Sequence, residues 1–337
     1  MPKKINRSRP VTDSSEAKTA IKAPKADTGW GGGSGVEAVL EAMNTHRNDG
    51  VIQQQGLEAL TEFCEDATAA CRVGSVGGNK AVLDALKTHG QNEIIQEKGC
   101  ESLIYLCSAP ENVRILCESG AIEVAVSAIN MHKGSIHVKT EGIGALMMLT
   151  ILRDEQAFLR ICEAGGPEII ADVLKAHNHD YPEISERCCG VISNLFGIAS
   201  DEGVKKPGDL DEASRRFTEA GGAEGIVEAL NAHIDLVSIQ MEGLQALHWL
   251  CELDEENIGR VGKCGGMTAV VGALKAHRGD AEVQSVACVT LDSICAGGYG
   301  ARKYVKDNQG IAGGAGAVEA VVEALKSHNG NAQVCQG

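Results

Sequence analysis

Seven histidines are the first residues in this sequence that could do chemistry. His46, His89, His132, His177, His233, His277 and His328 each end an eight-residue phrase, such as VLEAMNTH (39–46), IADVLKAH (170–177) and VVEALKSH (321–328). The steps between them are 43, 43, 45, 56, 44 and 51 residues. A column of imidazoles could hold a metal ion or act as a pH switch. Distance argues against the metal. Equivalent atoms on successive stacked helices lie about one helix diameter, ~10 Å, apart, whereas zinc ligands lie about 2 Å from a shared ion. The spacing places each histidine in the last turn of a helix, where a cationic or hydrogen-bonding group complements the final carbonyls.

The thirteen cysteines are the second candidate. They also fall in columns: Cys64, Cys107, Cys251 and Cys295; then Cys100, Cys189 and Cys288; then Cys117 and Cys162. Core packing produces such columns, because cysteine behaves as a small hydrophobe. No CxxC pair with ligand spacing occurs, and Cys188 and Cys189 are chain neighbours that face different directions. No phosphate-cradling loop, GxSxG elbow or HExxH pair is present. The sequence therefore names no catalytic residue, no metal ligand and no cofactor, and it reads as a non-enzyme. The start MPKKINRSRP lacks an apolar stretch, and no run of about 18 apolar residues could span a membrane. Reduced thiols in a cytoplasmic or nuclear protein are the expectation.

What positions these residues is a repeat. The third repeat shows its parts. ENVRILCESG (111–120) is a short first helix, ended by a glycine suited to a helix terminus. AIEVAVSAINMH (121–132) is the second helix, and SIHVKTEGIGALMMLTIL (135–152) is a long third helix with apolar residues at helical spacing. The glycine break recurs as EAGG before Pro167, EAGG before Ala223 and KCGG before Met267. Two stretches break the rhythm and read as inserts, near 198–216 and 297–315; inserts in such arrays become loops on one face. The first repeat lacks its short first helix, and NAQVCQG (331–337) matches only the opening turns of a third helix.

Net charge is −15, but residues before Trp30 carry seven Lys or Arg against three Asp or Glu, leaving a strongly acidic body. Residues 1–32 therefore read as a basic, disordered tail, and PKKINRSRP could serve as a nuclear-import signal. An acidic body argues against nucleic acid and favours a basic protein segment. Aromatics are 3% of the chain, so the core must be built from Ala, Val, Leu and Ile.

Three helices, a core period of about 42–45 residues, an A-G-G or S-G-A break and a third helix ending A-L-x-x-L-C resemble the armadillo repeat family over roughly residues 33–337. HEAT repeats have two helices and lack the glycine-separated first helix. The resemblance implies an all-α, right-handed superhelical armadillo-repeat solenoid of about seven three-helix repeats, with incomplete terminal repeats. It also implies a concave groove, lined by third helices, that takes an extended segment of a partner protein.

In groove-binding members such as the nuclear-import receptors, an asparagine ladder on the third helix grips the partner backbone, with tryptophans one turn earlier. Aligned on A-L-x-x-L, the asparagine column here is Glu62, Tyr105, Met148, Asn194, Trp249 and Ser293. The tryptophan column is Glu58, Glu101, Gly144, Gly190, Gln245 and Val289. Only Asn194 matches the ladder. Glu58, Glu62, Glu97 and Glu101 instead make the N-terminal part acidic, in i, i+4 pairs suited to water or a cation. Tyr105, Met148, Asn194, Gln245 and Trp249 make the middle suited to side-chain anchors. The functional expectation is a scaffold or adaptor for another protein, engaged through an extended or basic segment, with the chain's own N-terminal tail as a competing occupant. A structural subunit of a large assembly and a nuclear-transport-type adaptor are the alternatives.

Overall fold

The computed structural model describes residues 34–198, 210–296, 302–328 and 334. The basic tail, its import-signal candidate, and residues 199–209, 297–301 and most of NAQVCQG lie outside the described residues. The chain falls into two compact units, one up to Asn112 and one from Val113. Among the described residues there are nineteen helices and no strand.

The first unit holds α1 (Ser34–Thr45), α2 (Gly50–Phe63), α3 (Ala67–Ser75), α4 (Gly78–Thr88) and α5 (Glu93–Leu106), and takes in the first residues of α6 (Pro110–Glu118). The second continues with α7 (Ala121–Met131), α8 (Ile136–Thr150), α9 (Glu155–Glu163), α10 (Gly166–His177), α11 (Pro182–Gly197), α12 (Leu210–Glu219) and α13 (Gly222–Ala232). It closes with α14 (Val237–Leu253), α15 (Glu255–Lys263), α16 (Gly266–Ala276), α17 (Ala281–Ala296), α18 (Arg302–Ala315) and α19 (Ala317–Ser327). The first-second-third helix order read from the sequence is what forms. Third helices pack side by side: α2 on α5 in the first unit, and α8, α11, α14 and α17 in succession in the second. Three of the four phenylalanines, Phe158, Phe196 and Phe217, are fully buried among the aliphatic side chains.

Each second helix except α1 starts from a glycine in the left-handed region: Gly77, Gly120, Gly165, Gly221, Gly265 and Gly316, with φ between 81° and 109°. A side chain there would clash with the backbone at about 1–2 kcal/mol, which is why the break is written with glycine. Three third helices begin at side-chain caps: Asp49, Asn92 and Ser135 accept first-turn N–H groups of α2, α5 and α8.

The histidine phrase does a second job beyond ending its own helix. His89 Nε2 donates to the Arg47 carbonyl at 2.7 Å. In the second unit, His233 donates to Asn178 at 2.7 Å, His277 to Ile234 at 2.6 Å and His328 to Arg278 at 2.9 Å. Every acceptor is the residue just after the preceding repeat's histidine. These four imidazoles thus staple their turns to the turn before.

A buried glutamine ladder completes the turn. The side-chain amides of Gln53, Gln96, Gln240 and Gln284, on third helices, each donate to two carbonyls at the end of their own repeat's second helix, one of them the histidine's. Two repeats depart from this. Ser185 takes the glutamine's place in α11 and reaches the Asn178 carbonyl at 3.4 Å. Lys139 takes it in α8 and instead places its ammonium 2.9 Å from His177 Nε2. An ammonium can only donate, so His177 accepts there as a neutral imidazole. Burial first, then the Lys139 charge, holds the His177 pKa down, and burial lowers that of Lys139.

Parts of the stretches expected as inserts are helical. Residues 302–315 form α18, and residues 210–219 form α12. Asn308 in α18 is buried and donates to the Ile294 and Ile258 carbonyls. Asn257 in α15 does the same job, reaching the Leu250 carbonyl and Ser214, and in the first unit Asn112 reaches Leu106 and Ala70. Both helices are therefore the short first helices of their repeats, and the added residues narrow to 199–209 and 297–301. The glycine-rich GIAGGA of α18 hides a helix, since glycine disfavours one; the buried asparagine in register is the signal that marks it.

Candidate partner-binding surface on the third helices

In the first unit, Glu58 and Glu101 occupy equivalent register positions on α2 and α5, as do Glu62 and Tyr105. The two helices are tied by Ser102, whose hydroxyl lies 2.9 Å from Thr61 Oγ1 and donates to the Leu57 carbonyl. Glu62 is exposed, and the Tyr105 ring is 45% exposed. Glu58 is half-buried and accepts from Gln54 Nε2 at 3.0 Å. The remaining two carboxylates carry their own counterion. Lys98 lies 2.9 Å from Glu101 and 3.4 Å from Glu97, and the hydrogen bond to Glu101 raises the Lys98 pKa. The acidic character left for a partner thus centres on Glu58 and Glu62. Lys98 was visible in the sequence between the two glutamates, but its pairing depended on side-chain direction.

In the second unit, Met148, Asn194, Gln245 and Trp249 are all half-buried on α8, α11 and α14. Asn194 uses its amide N–H groups internally, donating to the Met147 carbonyl at 3.1 Å and to Thr150 Oγ1 at 3.4 Å. It ties α11 to α8, leaving its side-chain oxygen as the acceptor a partner could use. The Trp249 ring leans on His248, with centroids 4.4 Å apart. His248 lies 2.7 Å from Ser293 Oγ, and burial lowers its pKa.

Several neighbours were not singled out by sequence reasoning. Glu242, one α14 turn before Gln245, is half-buried; burial first, and then Glu186, push its pKa up against Ser193 and Arg153. Gly190 and Gly197 on α11 let side chains of adjacent repeats lie on bare backbone. A Cβ at Gly190 would sit 2.8 Å from Met147 Sδ, and one at Gly197 would sit 3.0 Å from Trp249 Nε1 and 3.2 Å from the Arg153 guanidinium.

The thiols suit packing rather than chemistry. Of the twelve described cysteines, all are free and nine are buried. Burial pushes Cys64 up to about 12 and Cys117 up to about 11, so a thiolate does not form near neutrality. Among the described residues no group of three or more His, Cys, Asp or Glu could hold a metal ion. No described helix is long and apolar enough to cross a membrane.

No family model matches the chain, and no curated protein matches it. Solved structures do. An engineered protein shares 25% identity over 78% of this chain and 99% of its own, with a TM-score of 0.61. A designed armadillo repeat protein in complex with the peptide (KR)4 shares 18% identity over 77% of this chain and 99% of its own, with a TM-score of 0.59. Another designed armadillo repeat protein shares 16% over the same fractions, with a TM-score of 0.61. The fold of this chain is an all-helical, armadillo-like repeat solenoid.

Proposed function

We propose that this chain is a non-catalytic protein-interaction scaffold whose third-helix surface takes a segment of another protein. One observation carries the reading. In a chain with 3% aromatic residues, the two aromatics of the asparagine column, Tyr105 and Trp249, stay partly open to solvent, while the phenylalanines Phe158, Phe196 and Phe217 are fully buried. Exposed Tyr and Trp side chains lose apolar contact with nothing gained in folding, and they are the residues that dominate binding hot spots. The similar designed repeat protein bound to (KR)4 supports a peptide as ligand. The carboxylates of half-buried Glu58 and exposed Glu62 fit a basic segment, and the cytoplasm or nucleus fits the reduced thiols.

The test is binding of a labelled (Lys-Arg)4 peptide to the full chain, with Glu58→Lys/Glu62→Lys and Tyr105→Ala as variants. Retained helicity with about thirtyfold weaker binding in each is expected, since a hot-spot truncation costs about 2 kcal/mol. Unchanged affinity in both would reject this surface. Affinity capture comparing wild type with Trp249→Ala probes the second unit in the same way.

A structural subunit of a larger assembly is the second reading, favoured by α19. Val318, Val322 and Leu325 are 67%, 42% and 39% exposed there, whereas their counterparts Met267, Val271 and Leu274 in α16 are at most 2% exposed. Size-exclusion chromatography separates the two: a lone stable monomer contradicts the subunit reading.

A further inference from the structure

Three successive repeats of the second unit meet at the C-terminal ends of α8, α11 and α14, and they bring two hydrogen-bond donors to one point. The indole Nε1–H of Trp249 is buried and has no acceptor. The Arg153 guanidinium stands beside it, both lying within 3.2 Å of where a Cβ of residue 197 would be. Among the described residues the guanidinium makes neither an ion pair nor a hydrogen bond; Glu242 acts on it only through space. Glu186, which acts on Glu242, accepts from Ser238 Oγ at 2.8 Å, and Asp154, the chain neighbour of Arg153, accepts from the Gln156 N–H at 2.7 Å.

Arg153 is also the single non-glycine residue with positive φ among the described residues, at 49°. Its own N–H is held by the Thr150 carbonyl at 2.9 Å. A left-handed arginine costs free energy that glycine would not. An orphaned buried donor, a cation with no direct carboxylate contact among the described residues and a strained backbone coincide, and such strain persists where it has a use.

We propose that this corner is an anchor for a carboxylate side chain, Asp or Glu, of a bound partner segment. The proposal rests on the reading of the third-helix surface as a binding face and adds the chemistry that its second unit selects. A carboxylate accepts two parallel N–H bonds from a guanidinium and has lone pairs left for a third donor. A neutral carbonyl would satisfy the indole but leave the guanidinium charge unmatched. Asn194 and Gln245 lie on the same helices and are suited to the flanking backbone. The overall charge of −15 disfavours an acidic run, so the occupant is an isolated acidic residue in an otherwise neutral stretch.

The experiment uses the full chain and its two tryptophans, Trp30 and Trp249. Proton–nitrogen NMR shows two indole signals, and Trp249→Phe assigns one by its loss. Acetyl-Ala-Glu-Ala-amide is titrated to tens of millimolar, with acetyl-Ala-Gln-Ala-amide as control. The expected result is a saturable downfield movement of the Trp249 indole proton with the glutamate peptide alone. Arg153→Gln should weaken this by about tenfold or more, as loss of a charge-assisted bond does. Arg153→Gly should abolish it while raising the melting temperature, because glycine relieves the positive φ. A Trp249 signal that stays fixed, that moves equally with both peptides, or that responds unchanged in the arginine variants overturns the proposal. A saturable titration together with unaltered capture by Trp249→Ala would keep the anchor and reject the scaffold reading; the reverse pair would reject the anchor alone.

Discussion

Glu242 shows how a single side chain departs from what its position in a helix suggests. In the sequence it is one more glutamate on an amphipathic helix. In the structure it is half-buried, and burial, reinforced by Glu186, raises its pKa. The folded protein therefore favours its protonated form relative to the unfolded chain, so ionised Glu242 subtracts stability above the folded pKa and stops doing so as pH falls through it. Glu242→Gln should raise the melting temperature at pH 7, with the gain shrinking as pH is lowered towards the ordinary carboxylate range. Calorimetry at several pH values checks this; a loss of stability at pH 7, or a pH-independent gain, contradicts it. Asn194 carries the opposite lesson. Its residue type matched an asparagine ladder, but its amide donors are spent on Met147 and Thr150, an outcome set by what the adjacent helix placed within reach.

Among helices, the turn between second and third helix is the device that keeps the repeats in register. Histidine joins it to the preceding turn, and the buried glutamine satisfies the carbonyls that every helix end leaves over. Gln284 donates to Leu274 and His277 at 2.9 Å each. Gln284→Leu would fill the space and leave both carbonyls unmatched, at a cost of about 1–3 kcal/mol. A lowered unfolding midpoint in urea is the measurement; an unchanged midpoint would mean that water replaces the amide. The histidines were legible as a ruler because they recur at one place in a repeated phrase. The glutamines recur in four of the six third helices but went unread, because a glutamine on a helix ordinarily faces water and only burial reveals it as a cap.

For the molecule as a whole, charge is distributed unevenly along the chain. The residues before Trp30 are net positive, and the rest of the chain is strongly acidic. If the tail competes for the carboxylates around Glu58 and Glu62, deleting residues 1–30 should tighten (Lys-Arg)4 binding by a few-fold, with the difference fading as salt shortens the ~8–10 Å range of such attraction. Equal affinity at low salt for the full and shortened chains would exclude competition by the tail.

Helix type, repeat period and the glycine breaks all follow from residue order, because each depends on local conformational cost and hydrophobic periodicity along one segment. The glycine-rich helix α18, the Lys98 counterion and the Arg153–Trp249 corner do not. Each depends on which side chains from separate segments arrive at the same place, and on whether burial removes the water that would otherwise have satisfied them. The histidines belong to both groups: their spacing announced the array, and packing alone chose the carbonyls that His89, His233, His277 and His328 hold.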